Sequence, residues 1–317
     1  MEKRILVTGG AGFIGSNIVD ALLKSADVAF VRVLDNLATG NIQNIEQHFS
    51  NEKFEFINGD IRDYEMCLKA SAGMNVICHQ AALGSVPRSI EDPLTTNAVN
   101  ITGTLNIFTA AKACGIKRIV YAASSSTYGD SQALPKVEDK IGNPLSPYAV
   151  TKLVNELYAK VYADLYDLQL IGLRYFNVFG PRQDPKGAYA AVIPLFAKAL
   201  LDNTPPFING DGEQSRDFTY IDNVVQINLK ALFTENQEAI NQVYNVAVGD
   251  NITINAMWDY LNKINSTSLK AIHRDARQGD VRASLADISK ARKLLGYDPQ
   301  IKVHDGLRMA FDWYRGK

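Results

Sequence analysis

The stretch Arg4-Ile-Leu-Val-Thr8, followed by Gly9-Gly-Ala-Gly-Phe-Ile-Gly15, decides the fold. An apolar run of strand length meets a glycine-rich turn, and a helical pattern follows from about Gly12 to Lys24. Glycines let a chain turn sharply and bring its backbone against a phosphate, and the helix that follows presents free N–H groups to that anion. The spacing fits G-x-G-x-x-G through Gly10, Gly12 and Gly15. It also fits G-x-x-G-x-x-G through Gly9, Gly12 and Gly15.

Outward from this turn, short strand-like runs alternate with helical ones. Val28–Leu34, Phe54–Asn58, Val76–His79, Arg118–Ala123 and Leu168–Tyr175 read as strands. Apolar strands separated by helices predict an α/β fold with a doubly wound parallel sheet of the Rossmann type. The pattern loosens after Asn177. Helices are expected over Val192–Asp202 and Asn223–Phe233, and Val243–Val248 reads as a late strand rejoining the sheet. The expected organisation is a dinucleotide-binding domain over residues 1–176, rejoined by 218–249. Residues 177–217 and 250–317 form a smaller, mostly helical substrate domain.

Bulk properties exclude several classes. The 317 residues carry a net charge of −1, which speaks against nucleic acid or a membrane surface as partner. Cys67, Cys78 and Cys114 form no paired framework, and His48, His79, His273 and His304 show no metal spacing, so no metal is expected. No apolar run approaches the ~18 residues of a membrane span, and no leader precedes the first strand. A soluble, cytoplasmic protein is the expectation.

Asp35 lies 20 residues after Gly15, at the end of the second strand. A carboxylate there accepts hydrogen bonds from an adenosine ribose and repels a 2′-phosphate, which selects NAD over NADP. Asp60, in Asn58-Gly-Asp60, either reaches the adenine or caps the next helix. Tyr148 and Lys152 stand four apart, on one face of a predicted helix. A neighbouring ammonium lowers a phenol pKa, so Tyr148 is expected to take a proton while hydride leaves the substrate carbon. Ser124, Ser125 and Ser126 lie at the carboxyl end of the preceding strand, where ligands bind in such sheets, and Ser124 can share that proton.

These segments, with Ser124-Ser-Ser-Thr-Tyr-Gly-Asp130, Arg174-Tyr-Phe-Asn-Val-Phe-Gly-Pro181 and Ser215-Arg-Asp-Phe-Thr-Tyr-Ile-Asp222, resemble the extended short-chain dehydrogenase/reductase family. More narrowly, the whole chain is similar to UDP-hexose 4-epimerases. The resemblance implies further site residues. Phe13, Ile14, Asn36, Ile61, Ala81, Ala82, Asn100 and Phe176 fall to the cofactor. Gly84, Ser85 and Val86 fall where the substrate loop lies, and Asn177, Val192, Arg216, Arg277 and Asp280 where the UDP is held. Phe207, Ile208 and Asn209 match the strand lining the uracil. Surface ion pairs of Arg216 with Asp217, or Arg277 with Asp280, are the plainer reading of those arginines. Ser284 matches the wall residue beside the sugar, where a small side chain leaves room for a 2-acetamido group. The activity implied is NAD-dependent 4-epimerisation of UDP-N-acetylglucosamine and UDP-N-acetylgalactosamine through a transient 4-keto sugar. A homodimer built on the helices near 92–114 and 147–166 is implied as well.

Three other readings compete. A 4,6-dehydratase would need an acidic pair in place of Ser126-Thr127. A UDP-glucuronate epimerase or decarboxylase would want an extra basic group, for which Arg88 and Arg182 are candidates. A non-catalytic dinucleotide sensor would have lost Tyr148 or Lys152.

Overall fold

In a computed structural model the structure is described for residues 2–185, 190–276 and 282–316. Seven parallel strands form the central sheet: β1 (Lys3–Thr8), β2 (Val28–Asp35), β3 (Phe54–Asn58), β4 (Val76–His79), β5 (Arg118–Ser124), β6 (Gln169–Tyr175) and β7 (Gln242–Val246). Their order across the sheet is β7-β6-β5-β4-β1-β2-β3. The direction of winding reverses between β1 and β4, and such a switch point opens a crevice at the carboxyl ends of the strands.

The strands are apolar on both faces because helices cover both. Ile5, Val7, Val31, Val33 and Val120 belong to one cluster of buried side chains, while Leu6, Leu34, Ile77 and Ile119 belong to the other. The helix Phe13–Lys24 packs on the helix Ile221–Phe233 over the first face, and the helix Tyr64–Ser71 packs on Thr104–Ala113 over the second. β7 adds to the sheet edge by pairing with β6 from Gln242↔Ile171 to Val246↔Tyr175.

The helical stretch read near 92–114 is broken into pieces. Pro93–Asn97 is α-helical, Ala98–Gly103 is a π turn, and Thr104–Ala113 resumes the α-helix. Within that turn Gly103 packs so closely that a Cβ would lie 2.5 Å from the Ile61 side chain. Beyond the sheet, the helices Val192–Leu201, Ile254–Ile264 and Val303–Arg315 pack on one another, with Phe196 edge-on to Trp258 at 4.9 Å. A small parallel pair, Phe207–Asn209 with Ile272–Arg274, flanks them. Among the described residues no helix is long and apolar enough to cross a membrane.

Candidate active site

The switch point holds a cleft of about 570 Å³, within the ordinary range for a ligand site. Gly9, Gly12, Phe13, Ile14 and Gly15 line it from one side, and Gln80, Ala81, Ala82 and Gly84 from the other. The tight approach depends on glycine. Gly9 has φ +69°, and a Cβ there would lie 2.7 Å from the Ala81 backbone nitrogen. A Cβ on Gly15 would lie 2.1 Å from the Gly9 carbonyl oxygen. Gly10 instead packs on the Val33 side chain, so the cleft uses the Gly9, Gly12, Gly15 spacing. Gly12 stands at the N-terminus of the first helix without a side-chain cap, which leaves the first N–H groups to face an anion.

Asp35 closes the far end of the cleft. Its carboxylate accepts from the Ala11 N–H at 2.9 Å and the Leu37 N–H at 2.8 Å. Burial pushes its pKa up, and the two backbone donors pull it back. Each oxygen keeps a lone pair for a diol. Asp60 lines the cleft with Asn36 and Ile61, held by the Arg62 guanidinium at 2.6 Å and the Asn36 amide at 2.8 Å. The Arg62 hydrogen bonds lower its pKa to about 2. The next helix is capped by Asp63, which accepts from the Met66 N–H at 3.2 Å, so Asp60 is left to the cleft. A glycine cradle, bare helix N–H groups and a two-oxygen carboxylate at the end of β2 together fit a dinucleotide.

At the inner end of the cleft stand Ser124, Tyr148 and Lys152. Ser146 caps the helix Pro147–Tyr166 by accepting from the Ala149 N–H at 3.1 Å, and the Tyr148 N–H donates to the Ser89 hydroxyl at 3.0 Å. A buried, forked ion pair from Arg174 on β6 to Glu156, one turn past Lys152, fixes the helix against the sheet. Lys152 is buried, donates to the Ala122 carbonyl at 2.8 Å and stands 5.9 Å from the Tyr148 ring centre. The Ser124 hydroxyl accepts from the Ser126 N–H at 3.1 Å and the Ser126 hydroxyl at 2.9 Å, and it lies near enough to the Tyr148 phenol to favour the tyrosinate. The protonation balance differs from the sequence expectation. Burial raises the Tyr148 pKa, the nearby Ser124 hydroxyl lowers it only in part, and burial lowers Lys152 to about 8. Desolvation disfavours both charged forms, so the pair alone does not bring the phenol towards neutrality.

Two more cavities open from this point. One of about 260 Å³ is lined by Val192, Phe207, Ile208, Asn209 and Arg216; the other, of about 250 Å³, by Val86, Ser125, Ser126, Phe176, Arg216 and Ser284. Asn177 lines both and the cleft as well. Its φ of +37° and its amide bond to the Asp217 carbonyl at 2.9 Å hold it at that junction. Asp217 itself is buried and accepts from the backbone N–H groups of Val248, Gly249 and Ala286.

Some expected residues stand elsewhere. Phe176 lines the cavity with Ser284, not the dinucleotide cleft. Asn100 is fully buried behind the cleft wall, where it accepts from the Leu83 N–H at 2.8 Å and donates to the Thr151 hydroxyl at 3.1 Å. It supports the loop that carries Ala81 and Ala82. Ser85 caps the helix Val86–Glu91 by accepting from the Arg88 N–H. Arg182 turns its guanidinium to Asp20 at 2.6 Å. Arg277 and Asp280 lie outside the described residues.

The sequence reading missed Gln80 and Tyr175, which line the cleft and are joined by a 3.0 Å hydrogen bond. Both sit at strand carboxyl ends, the signal that located Ser124 and could have located them. Gln183 also lines the cleft, from a loop that carries no such signal.

Fold and cleft together fit a nicotinamide-dinucleotide enzyme, with the Tyr148–Lys152 pair at the inner end of the cleft. The chain belongs to the NAD dependent epimerase/dehydratase family, whose model matches residues 5–247, and its cofactor is NAD. A putative UDP-glucose 4-epimerase of Methanocaldococcus jannaschii is 41% identical over 98% of each chain. A UDP-glucuronate 4-epimerase of Thermodesulfobacterium geofontis is 36% identical over 97% of this chain and 95% of its own. Among solved structures, a UDP-N-acetylglucosamine 4-epimerase from Methanobrevibacter ruminantium, in complex with UDP-N-acetylmuramic acid, superposes with a TM-score of 0.93. It is 39% identical, with 99% of each chain covered.

Proposed function

We propose that this enzyme interconverts UDP-N-acetylglucosamine and UDP-N-acetylgalactosamine by 4-epimerisation, with UDP-glucose and UDP-galactose as poorer substrates. Family membership and relatives that are UDP-sugar 4-epimerases support the reaction class. The observation that carries the sugar assignment is Ser284, which shares one cavity with Ser126 and Arg216. A small hydroxyl at that wall leaves volume that a phenol ring would fill.

Gly9, Gly12 and Gly15 would hold the NAD pyrophosphate, and Asp35 its ribose. NAD held there would supply the hydride acceptor and donor for the sugar C4, with a 4-keto sugar between the two transfers. Tyr148 takes the O4 proton and gives it back. Ser124, beside Tyr148 in the cleft, orients the hydroxyl for that transfer. Lys152 holds a positive charge beside the phenol, which favours the tyrosinate when the proton arrives or leaves. Arg216 and Asn177 grip the UDP, so the sugar turns about a fixed anchor between the two hydride transfers. Arginine suits that anchor because its planar fork matches a phosphate.

Ser284→Tyr tests the reading. Discrimination per methylene in a pocket is roughly 1–3 kcal/mol, and a ring overlapping the acetyl should cost at least that. The value of kcat/KM on the acetylated pair should collapse while the non-acetylated pair survives. An equal response of both pairs would remove Ser284 as the gate.

A further inference from the structure

Arg174 on β6 ties the wall of one cavity to the helix that carries Tyr148 and Lys152. Its guanidinium forks onto the Glu156 carboxylate at 2.9 and 2.7 Å and donates to the Glu138 carbonyl at 2.9 Å. It also lies 4.9 Å from the centre of the Tyr128 ring, part of the lining of the cavity that holds Ser284. The Arg174 and Glu156 side chains are only 4% and 9% exposed. Neither residue lines the cleft or the two cavities that open from it. Glu156 therefore reaches the reacting end only through a neighbour.

That neighbour is Lys152. Glu156 follows it by four residues on the helix Pro147–Tyr166, the spacing that places two side chains on one face. Away from water, charges so placed act on each other with little screening. Burial lowers the Lys152 pKa, and the Glu156 charge pulls it back up. The other titratable groups around the pair do not supply that charge. Burial keeps His79 on β4 neutral, and it keeps the phenols of Tyr148, of Tyr121 on β5 and of Tyr128 protonated. Glu138 turns its carboxylate to the Asn245 N–H at 2.9 Å. Asn100 and Thr104, which meet this helix at Thr151 and Asn155, are uncharged. The short helices that pack on its start bring Arg88, Glu91 and Asp92, of which the two acids are exposed.

We propose that Glu156 is a positioning residue for the reaction: forked onto Arg174, its carboxylate keeps Lys152 in the charged form beside Tyr148. Arg174 aims that carboxylate, and the same guanidinium braces Tyr128 at the cavity wall. The proposal rests on the reading of Tyr148 and Lys152 as the reacting pair and names the group that sustains it.

The test follows the Lys152 ammonium directly, by NMR of isotope-labelled lysine in the NAD-loaded enzyme, with Lys152→Met to assign the signal. In Glu156→Gln, Lys152 should lose its proton about half a pH unit or more below the wild type. The alkaline limb of kcat on UDP-N-acetylglucosamine should move down with it, and kcat at neutral pH should fall about threefold or more. Affinity for UDP should stay within about twofold, since Glu156 lies outside the cavities. Glu156→Asp should bring the titration back towards wild type. Glu156→Gln leaves a buried guanidinium without its partner and can unfold the chain. The double variant Glu156→Gln with Arg174→Met removes both charges and should show the same downward shift. A Lys152 that titrates as in wild type, in either folded variant, overturns the proposal. So does a loss of kcat and UDP affinity together with an unmoved pH profile, the mark of a merely structural pair. A shifted Lys152 in a protein whose wild type turns over no UDP-sugar would uphold the Glu156 assignment and sink the epimerase reading.

Discussion

The ammonium of Lys152 stands 5.9 Å from the centre of the Tyr148 ring while it donates to the Ala122 carbonyl at 2.8 Å. One end of β5 therefore fixes the charge that a tyrosinate would feel, and Ser124 at the same strand end stands beside the phenol and lowers its pKa in part. Tyr148→Phe keeps the ring and removes the proton carrier. A loss of about 100-fold or more in kcat is expected, with UDP affinity nearly unchanged. Ser124→Ala should be milder. A Tyr148→Phe enzyme with near-wild-type turnover would refute the assignment of the proton carrier.

Asp35, proposed to hold the cofactor ribose, also holds the turn, where its two oxygens accept from the Ala11 and Leu37 N–H groups. Calorimetry should show NAD bound well above NADP. Asp35→Ser should narrow that gap, since the repulsion of a 2′-phosphate goes. It should also weaken NAD by about tenfold or more, because a buried turn loses an acceptor. Unchanged discrimination in the variant would show that another group selects the cofactor.

His79 gives the fold an acid limit. It is buried, its Nδ1 and Nε2 bond the Thr8 and Thr104 hydroxyls at 2.6 and 2.9 Å, and burial lowers its pKa from 6.5 to about 3. A depressed histidine stabilises the fold fully above its unfolded pKa and loses that contribution as pH falls from about 6.5 towards about 3. His79→Gln should be less stable at neutral pH. The gap to wild type should then close towards acid, at no more than about 1.4 kcal/mol per pH unit. Urea midpoints across that range check it, and a constant gap would mean that His79 titrates normally.

A homodimer is expected from the helix Pro147–Tyr166. Leu157, Val161 and Leu165 stand exposed one turn apart, and Leu94 is 82% exposed on a neighbouring helix that packs against it. An apolar stripe of this kind marks an interaction surface. Light scattering at micromolar concentration should give a dimer, and Leu157→Glu with Leu165→Glu should give a monomer. A wild type that stays monomeric would leave the stripe without a partner copy.

Much of this protein is written in local sequence. The glycine turn at 9–15, Asp35 at the end of β2 and the four-residue step from Tyr148 to Lys152 are short-range features. Backbone sterics, strand length and helical period determine them without distant help. The carboxyl-end rule then located Ser124. Local pattern failed where packing overrode it. The π turn at Ala98–Gly103 carries Gly103 close against Ile61, and Asn100 was drawn behind the cleft to brace Leu83 and Thr151. Burial, which a linear sequence does not reveal, raised the Tyr148 phenol that spacing alone would have lowered.

The substrate side was decided only in three dimensions. Lys136 and Ser284 are far apart in the chain, and they line one cavity because the backbone at 136 pairs with the segment 285–287. Asn177 joins three cavities because a left-handed backbone and the Asp217 carbonyl hold it at their junction. Such contacts carry no period and no fixed spacing. They exist once long loops have closed over the sheet, and the burial of the surrounding core, not any local preference, compensates the entropy of closing them.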